Sequence, residues 1–299
     1  MKIVVLAGGI STERDVSLSS GSKIYRALKA KGHQAVLLDV YLGLDTEEPV
    51  TEALFSSGTD WAKDILAVSE SHPDLSRLRE LRKDGGKNMF GPHVLDLCQM
   101  ADMVFLGLHG ANGEDGRIQA AFDLMGIPYT GTGYLSSALA MDKSISKQLF
   151  EKAGIPAPAG ITLKNGEHPD LSALTFPCMV KTICGGSSVG VYRVEKPEDL
   201  AEALAEAYSF ADDVIVEQFI SGREFSVGVI DGKALPVIEI APLEGFYDYK
   251  NKYQPGSTVE TCPAELKPEL TARMQRYAEM AYHALNREPD ARMAFMMDT

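Results

Sequence analysis

Cysteine is scarce in this chain. Four residues (Cys98, Cys178, Cys184 and Cys262) lie far apart with no CxxC pair, which excludes a disulfide framework and points to reduced thiols. The six histidines form no HExxH or paired spacing, so zinc chemistry has no support. A GxSxG element is missing as well, and with it the case for a serine hydrolase. Cationic charge is in deficit: 29 Lys and Arg against 42 Asp and Glu leave a net charge of −13. Such a balance suits non-specific nucleic-acid binding poorly. Nothing approaches the roughly 18 uncharged apolar residues of a membrane helix. The apolar run Ile3–Ala7 is too short for an export signal and reads as a first strand. Internal repeats and low-complexity tracts are lacking too. What is there is an ordinary globular balance, 45% hydrophobic and 24% charged. The chain is about two domain-lengths long, and a cytoplasmic location is the expectation.

The N-terminal part alternates strands and helices. Lys2–Ala7 is a continuous apolar run, as a buried parallel strand requires. A helix opening at Ser11-Thr12-Glu13 runs to Leu28, and a second strand spans Ala35–Val40. This βαβ start predicts a parallel sheet with a right-handed crossover. Between Gly43 and Gly91 the pattern dissolves into a decorated connection with short helices. Order returns with a helix Val94–Met100, a strand Met103–Leu108, a glycine-rich loop over 109–116 and a helix Arg117–Met125.

A change of character follows Met141-Asp142-Lys143. A helix reaching Ala153 stops at Gly154, with Pro156 and Pro158 behind it. Strands Cys178–Thr182 and Val189–Val194 flank Ile183-Cys184-Gly185-Gly186-Ser187-Ser188 as a hairpin with a glycine-serine tip. A helix Pro197–Tyr208 and a strand Val214–Phe219 come next. Strands Glu224–Ile230 and Leu235–Ile240 pair around Asp231-Gly232. Positions 244–257 form a long polar and aromatic loop. A helix Ala264–Leu285 and a strand Ala291–Met297 complete the series.

Taken singly, the motifs are weak. Gly185-x4-Gly190 has the glycine spacing of a phosphate loop, but Val191-Tyr192 stands where Lys-Ser/Thr is needed and a strand follows. Read as a flap, the hairpin would present backbone N–H groups and serine hydroxyls to a polyphosphate, with Lys181 supplying the charge. Gly-Gly-Ser-Ser alone reads first as an ordinary turn. Glu13 is simplest as a helix-dipole partner or a capping-box acid. His109 ends a strand where open α/β sheets bind ligands, although Glu114 and Asp115 behind it are more commonly caps. The loop Phe246-Tyr247-Asp248-Tyr249-Lys250-Asn251-Lys252-Tyr253 carries an aromatic density that argues for a lid.

In order, these pieces resemble one family. Ala7-Gly8-Gly9-Ile10-Ser11-Thr12-Glu13-Arg14-Asp15-Val16-Ser17 is similar to the opening of D-alanine–D-alanine ligases. His109-Gly110…Gly113-Glu114-Asp115-Gly116 and Pro128-Tyr129-Thr130-Gly131 match their next signatures. Val180-Lys181…Gly186-Ser187-Ser188-Val189-Gly190 matches the ATP-grasp hairpin, and Phe246–Tyr253 the ω-loop. The resemblance implies an α/β and α+β chain. Its ATP-grasp fold would follow an N-terminal open parallel-sheet domain over 1–141, with a central module at 142–222 and a C-terminal module at 223–299. It also implies ATP-dependent formation of D-alanyl-D-alanine for peptidoglycan precursors, through an acylphosphate, by a homodimer that needs neither nucleic acid nor membrane.

Residue by residue, the resemblance makes Glu13 the anchor of the first D-alanine's ammonium, in a substrate site shared with His109 and Tyr253. Lys143, Lys181, Ser187, Ser188 and Lys252 become phosphate contacts, Glu217-Gln218-Phe219 the adenine segment and Glu224 the ribose-binding acid. Ser188 with Tyr253 orients substrate, and Arg292 stabilises the tetrahedral oxyanion. Two magnesium ions, or manganese, are the expected cofactors. The family's metal-binding Asp, however, is Ala294 here, and its Glu-x-Asn segment lies beyond Thr299, so no metal ligand is assigned. The C-terminal module is therefore expected to be incomplete, with nucleotide binding retained and ligation weak. An inactive or truncated nucleotide-binding homologue, and a ligase for another D-amino or hydroxy acid, stay open as alternatives.

Overall fold

The computed structural model describes residues 1–65, 68–69, 73–82, 84–167, 171–172, 174–186, 190–243, 245, 247, 251–252, 256–286 and 288–298. It divides into two compact units, Met1–Tyr134 and Leu135–Thr299.

The first unit is built on a parallel sheet in the order β2-β1-β3, from β1 (Lys2–Ala7), β2 (Gln34–Asp39) and β3 (Met103–Leu106). Central β1 is buried from Ile3 onward, which is why its sequence runs apolar without alternation. Helix α1 (Arg14–Ala30) crosses over one face, and Gly21 lets it sit close. A Cβ there would stand 2.5 Å from that of Ala7. Within the connection 43–91 the order is a short 3-10 helix Glu52–Ser56 and α2 (Leu75–Glu80), as the decorated reading expected. Arg82 ties this stretch down: its buried guanidinium pairs with Asp84 and donates to the carbonyls of Asn88 and Phe90. Helices α3 (Val94–Met100) and α4 (Arg117–Met125) fall where the sequence put them. The strand expected to reach Leu108 ends at Leu106, and the Gly107 amide makes the last bond of its ladder with β1, to the carbonyl of Leu6.

The second unit carries two antiparallel sheets. Helices α5 (Tyr134–Met141) and α6 (Lys143–Lys152) lead into a four-stranded sheet of order β4-β7-β5-β6. Its strands are β4 (Gly160–Lys164), β5 (Cys178–Thr182), β6 (Val191–Val194) and β7 (Asp213–Gln218), with α7 (Leu200–Tyr208) packed on it. Strands β8 (Gly222–Ile230), β9 (Lys233–Ala234), β10 (Ile238–Pro242), β11 (Thr258–Thr261) and β12 (Asp290–Asp298) form the other sheet, under α8 (Pro268–Ala284). The strand expected over Leu235–Ile240 begins only at Ile238, as β10, with the two-residue β9 ahead of it. Pro236 has no N–H for the ladder, so pairing resumes only at Ile238. The loop expected over 244–257 gives way at Thr258 to β11, which pairs with β10.

Candidate active site

In the first unit, chemistry gathers at the C-terminal ends of β1 and β3, where open parallel sheets bind ligands. Gly8 and Gly9 adopt φ of 70° and 85°, and a Cβ on Gly8 would lie 2.4 Å from the Asp39 carboxylate. Arg14 ion-pairs with Asp39 and donates to the Gly9 carbonyl at 2.7 Å. Ser17 Oγ accepts from the Gly8 amide and donates to the Gly107 carbonyl, so β1 and β3 end in register. Glu13 caps α1 through its backbone carbonyl, which accepts from Ser17, while its carboxylate makes no capping bond. The capping-box expectation is therefore corrected. That side chain is 4% exposed and lies against Gly110, where a Cβ would stand 2.8 Å from Oε2. Ser11 Oγ donates to the carbonyl of half-buried His109 at 2.8 Å. Glu114 and Asp115 accept from the amides of Gly110 and Asn112, which makes them loop caps, the commoner reading.

In the second unit, cations collect around one carboxylate. Asp142 caps α6 by accepting from the Ile145 amide. Lys143 and Lys147, one turn apart, consequently share a helix face. The Lys143 ammonium donates to the carbonyls of Thr182, Ile183 and Gly185 at 3.0, 3.2 and 2.8 Å. It thus staples the start of the hairpin turn behind β5. Burial, with Lys181 adding its positive charge, lowers the Lys143 pKa to about 8. Lys181 on β5 and Glu217 on β7 sit diagonally on one face of the sheet, and Lys181 ion-pairs with Glu217 Oε1. The other oxygen, Oε2, takes Lys147 at 2.6 Å. Burial raises the carboxyl of Glu217, but the two lysines outweigh it and hold it below its ordinary value. Beyond it, the backbone amides of Gln218 and Phe219 donate to Ala159 and Pro177, and the Arg193 guanidinium covers the Phe219 ring at 4.2 Å.

On the five-stranded sheet, Glu224 lies in register between Ile240 and Met296. Burial pushes its carboxyl up, against the opposing charges of Lys252, Arg292 and Lys181. Arg292 Nη1 donates to Ser226 Oγ at 3.4 Å, and Lys252 stands over the Tyr247 ring at 5.3 Å. Ala294 pairs with Ser226 across the β8–β12 ladder and offers only a methyl group. No group of three His, Cys, Asp or Glu suited to a metal occurs among the described residues. Among the described residues, the donors around Ala294 do not make up the oxygen set that magnesium needs. Ser187, Ser188 and Tyr253 lie outside the described residues. Lys147 escaped the sequence reading, and its spacing of four from Lys143 was the only signal.

A parallel-sheet unit followed by two antiparallel sheets, with Lys181 of one sheet lending its charge to Glu224 of the other, is the architecture of an ATP-grasp enzyme. Residues 2–132 match the D-ala D-ala ligase N-terminus and residues 149–299 the D-ala D-ala ligase C-terminus. A D-alanine–D-alanine ligase of Pediococcus pentosaceus is 45% identical over 303 residues, covering 99% of this chain and 85% of that protein. Among solved structures, a D-alanine–D-alanine ligase of Bacillus anthracis superposes with a TM-score of 0.72 at 31% identity, over 100% of this chain and 83% of that one. A Bacillus anthracis D-alanine–D-alanine ligase complexed with ATP gives a TM-score of 0.72 at 26% identity, over 100% of this chain and 82% of that one. The chain belongs to the D-alanine–D-alanine ligase family.

Proposed function

We propose that the chain joins two D-alanines with hydrolysis of ATP, supplying the dipeptide for peptidoglycan in the cytoplasm as a homodimer. The observation that carries this reading is family identity along the whole chain, together with the Lys143, Lys147, Lys181 and Glu217 cluster where α6 meets the ATP-grasp sheet. In this reading 1–141 is the substrate domain, and 142–222 and 223–299 are the two nucleotide-binding modules.

The chemistry follows from the poor electrophilicity of a carboxylate. An oxygen of the first D-alanine attacks the γ-phosphorus, an O–P bond forms, the bond to the β-phosphate oxygen breaks and ADP leaves. Attack by the second D-alanine's amine on the acyl carbon then forms the amide. The C–O bond to phosphate breaks, and the amine gives up its proton. Glu13 holds the first ammonium, with His109 beside it. Lys143 and Lys181 meet the phosphates with Ser187, Ser188 and Lys252. Adenine lies along Glu217-Gln218-Phe219 and ribose at Glu224, while Ser188 and Tyr253 orient substrate. Arg292 faces the tetrahedral oxyanion. Positioning and charge neutralisation do most of the work.

D-alanine-dependent phosphate release, with D-alanyl-D-alanine identified by mass spectrometry, tests the proposal. D-lactate and D-serine serve as competing acceptors. Product formed with another acceptor but not D-alanine would overturn the assignment of substrate.

The lowered pKa of Lys143 gives a pH prediction. Phosphate favours the ammonium form, so its contribution to ATP affinity is fully present below the free-protein value of about 8 and is lost as pH rises from there toward the higher value of the complex. ATP affinity is expected to fall several-fold across that window by calorimetric titration, while adenosine affinity stays level. Equal profiles for the two ligands would refute the role of Lys143.

Ala294 favours a second reading, a nucleotide-binding homologue that ligates slowly. Ala294→Asp restores an oxygen donor on β12. Magnesium is expected to tighten ATP binding several-fold more in the variant than in the parent chain, with little gain in turnover. An identical magnesium response in both proteins would rule out this position as the missing ligand.

A further inference from the structure

Lys147 is the residue of the cation cluster to which neither the motifs nor the assigned roles give a task. Its side chain is 21% exposed, and its ammonium has two acceptors within the protein. It donates to Glu217 Oε2 at 2.6 Å and to the carbonyl of Pro158, in the segment that leads from α6 into β4. Glu217 is 7% exposed and divides its two oxygens between Lys147 and Lys181. Were Lys181 the sole partner, the buried pair would be electrically neutral. A phosphate group arriving beside it would then meet a cation already cancelled at contact distance. With Lys147 on the far oxygen, three ammonium groups (Lys143, Lys147 and Lys181) face one carboxylate.

We propose that Lys147 is a positioning residue for polyphosphate binding: it neutralises Glu217 from behind and leaves the charge of Lys181 available to the nucleotide. The bond to Pro158 fixes the ammonium where this works, because β4 and β7 are in register at Gly160 and Glu217. Burial of Glu217 makes the arrangement necessary. In a partly desolvated site a carboxylate's field reaches further than in water, so an uncompensated Glu217 would repel phosphate. The proposal rests on the reading that this unit binds ATP.

The test compares ATP with adenosine, since the nucleoside has the same base and sugar and no phosphate charge. Calorimetric titrations of the full chain are made with Lys147→Met, Lys147→Gln and Lys147→Arg. Both uncharged variants are expected to weaken ATP by roughly ten-fold and to leave adenosine unchanged, with most of the loss regained in Lys147→Arg. A thermodynamic cycle with Glu217→Gln adds a second readout. Once Glu217 is neutral, Lys147→Met is expected to change ATP affinity by no more than about two-fold. A purely structural lysine would weaken both ligands together, and that outcome, or unchanged ATP affinity, overturns the proposal. Should the parent chain bind adenosine and ATP alike or neither, the ATP-binding reading itself fails, independently of Lys147. If Lys147→Met does not fold, Lys147→Gln carries the same comparison with a neutral hydrogen-bond donor in place.

Discussion

Replacing Lys181 with alanine is expected to weaken ATP binding roughly ten- to hundred-fold, the worth of a charge-assisted phosphate contact of about 1.5–3 kcal/mol. The fold should survive the change. Lys181 is on β5 with 27% of its side chain exposed, and its removal does not strand a buried charge, because Glu217 keeps Lys147 at 2.6 Å. The face of β5 that builds the core is the other one, with Cys178 and Val180. Calorimetric titration with ATP, beside a thermal melt of both proteins, separates the two effects. Unchanged ATP affinity would remove Lys181 from the phosphate site, and a matching loss for adenosine would mean that the sheet itself has been disturbed.

Glu13→Gln is expected to have the larger effect, on the other substrate. Breaking a buried charge pair by neutralising one member costs about 3–5 kcal/mol, so the apparent affinity for the first D-alanine should fall by roughly two to four orders of magnitude. Burial makes the estimate apt: Glu13 is 4% exposed, held at the start of α1 between Ser11 and Gly110. Glutamine keeps the shape and loses only the charge, so α1 and the Arg14–Asp39 pair beside it should be undisturbed. Initial rates of phosphate release against D-alanine concentration provide the measurement, with ATP affinity as the control. A KM for D-alanine within a factor of about two of the parent's, less than the weakest net hydrogen bond, would show that Glu13 does not meet the ammonium.

Sequence reasoning found the elements whose residues carry one clear period. Buried β1 reads as a continuous apolar run, and α3 and β5 have the bounds that their patterns predict. It missed elements that lean on neighbours. The short edge strands β4 and β11 pair on one side only. Helix α5, mixed apolar and small, has no capping signal among Gly131, Thr132 and Gly133. The break at Pro236 was readable from the missing N–H, yet the alternation around it hid the interruption. In the site, single residues such as Glu13 and Lys181 became meaningful only through the order of whole motifs. What the sequence hides is who holds whom. That Lys143 spends three donors on backbone carbonyls, or that Glu217 serves two lysines, depends on β5, β7 and α6 meeting in space.

The hydrophobic clusters described for this chain each fall inside one of its two compact units, so the units have separate interiors. Heat need not melt such a protein in a single all-or-none event. Scanning calorimetry is expected to resolve two transitions, and each ligand then stabilises the interior it binds. Nucleotide at about a hundred times its dissociation constant adds roughly 2.7 kcal/mol to the unit that holds it and nothing directly to the other. D-alanine, bound near Glu13, acts on the first unit in the same way. A melting temperature taken from one spectroscopic probe then reports whichever interior that probe sees, and an inhibitor ranked by such a shift is ranked for half of the molecule.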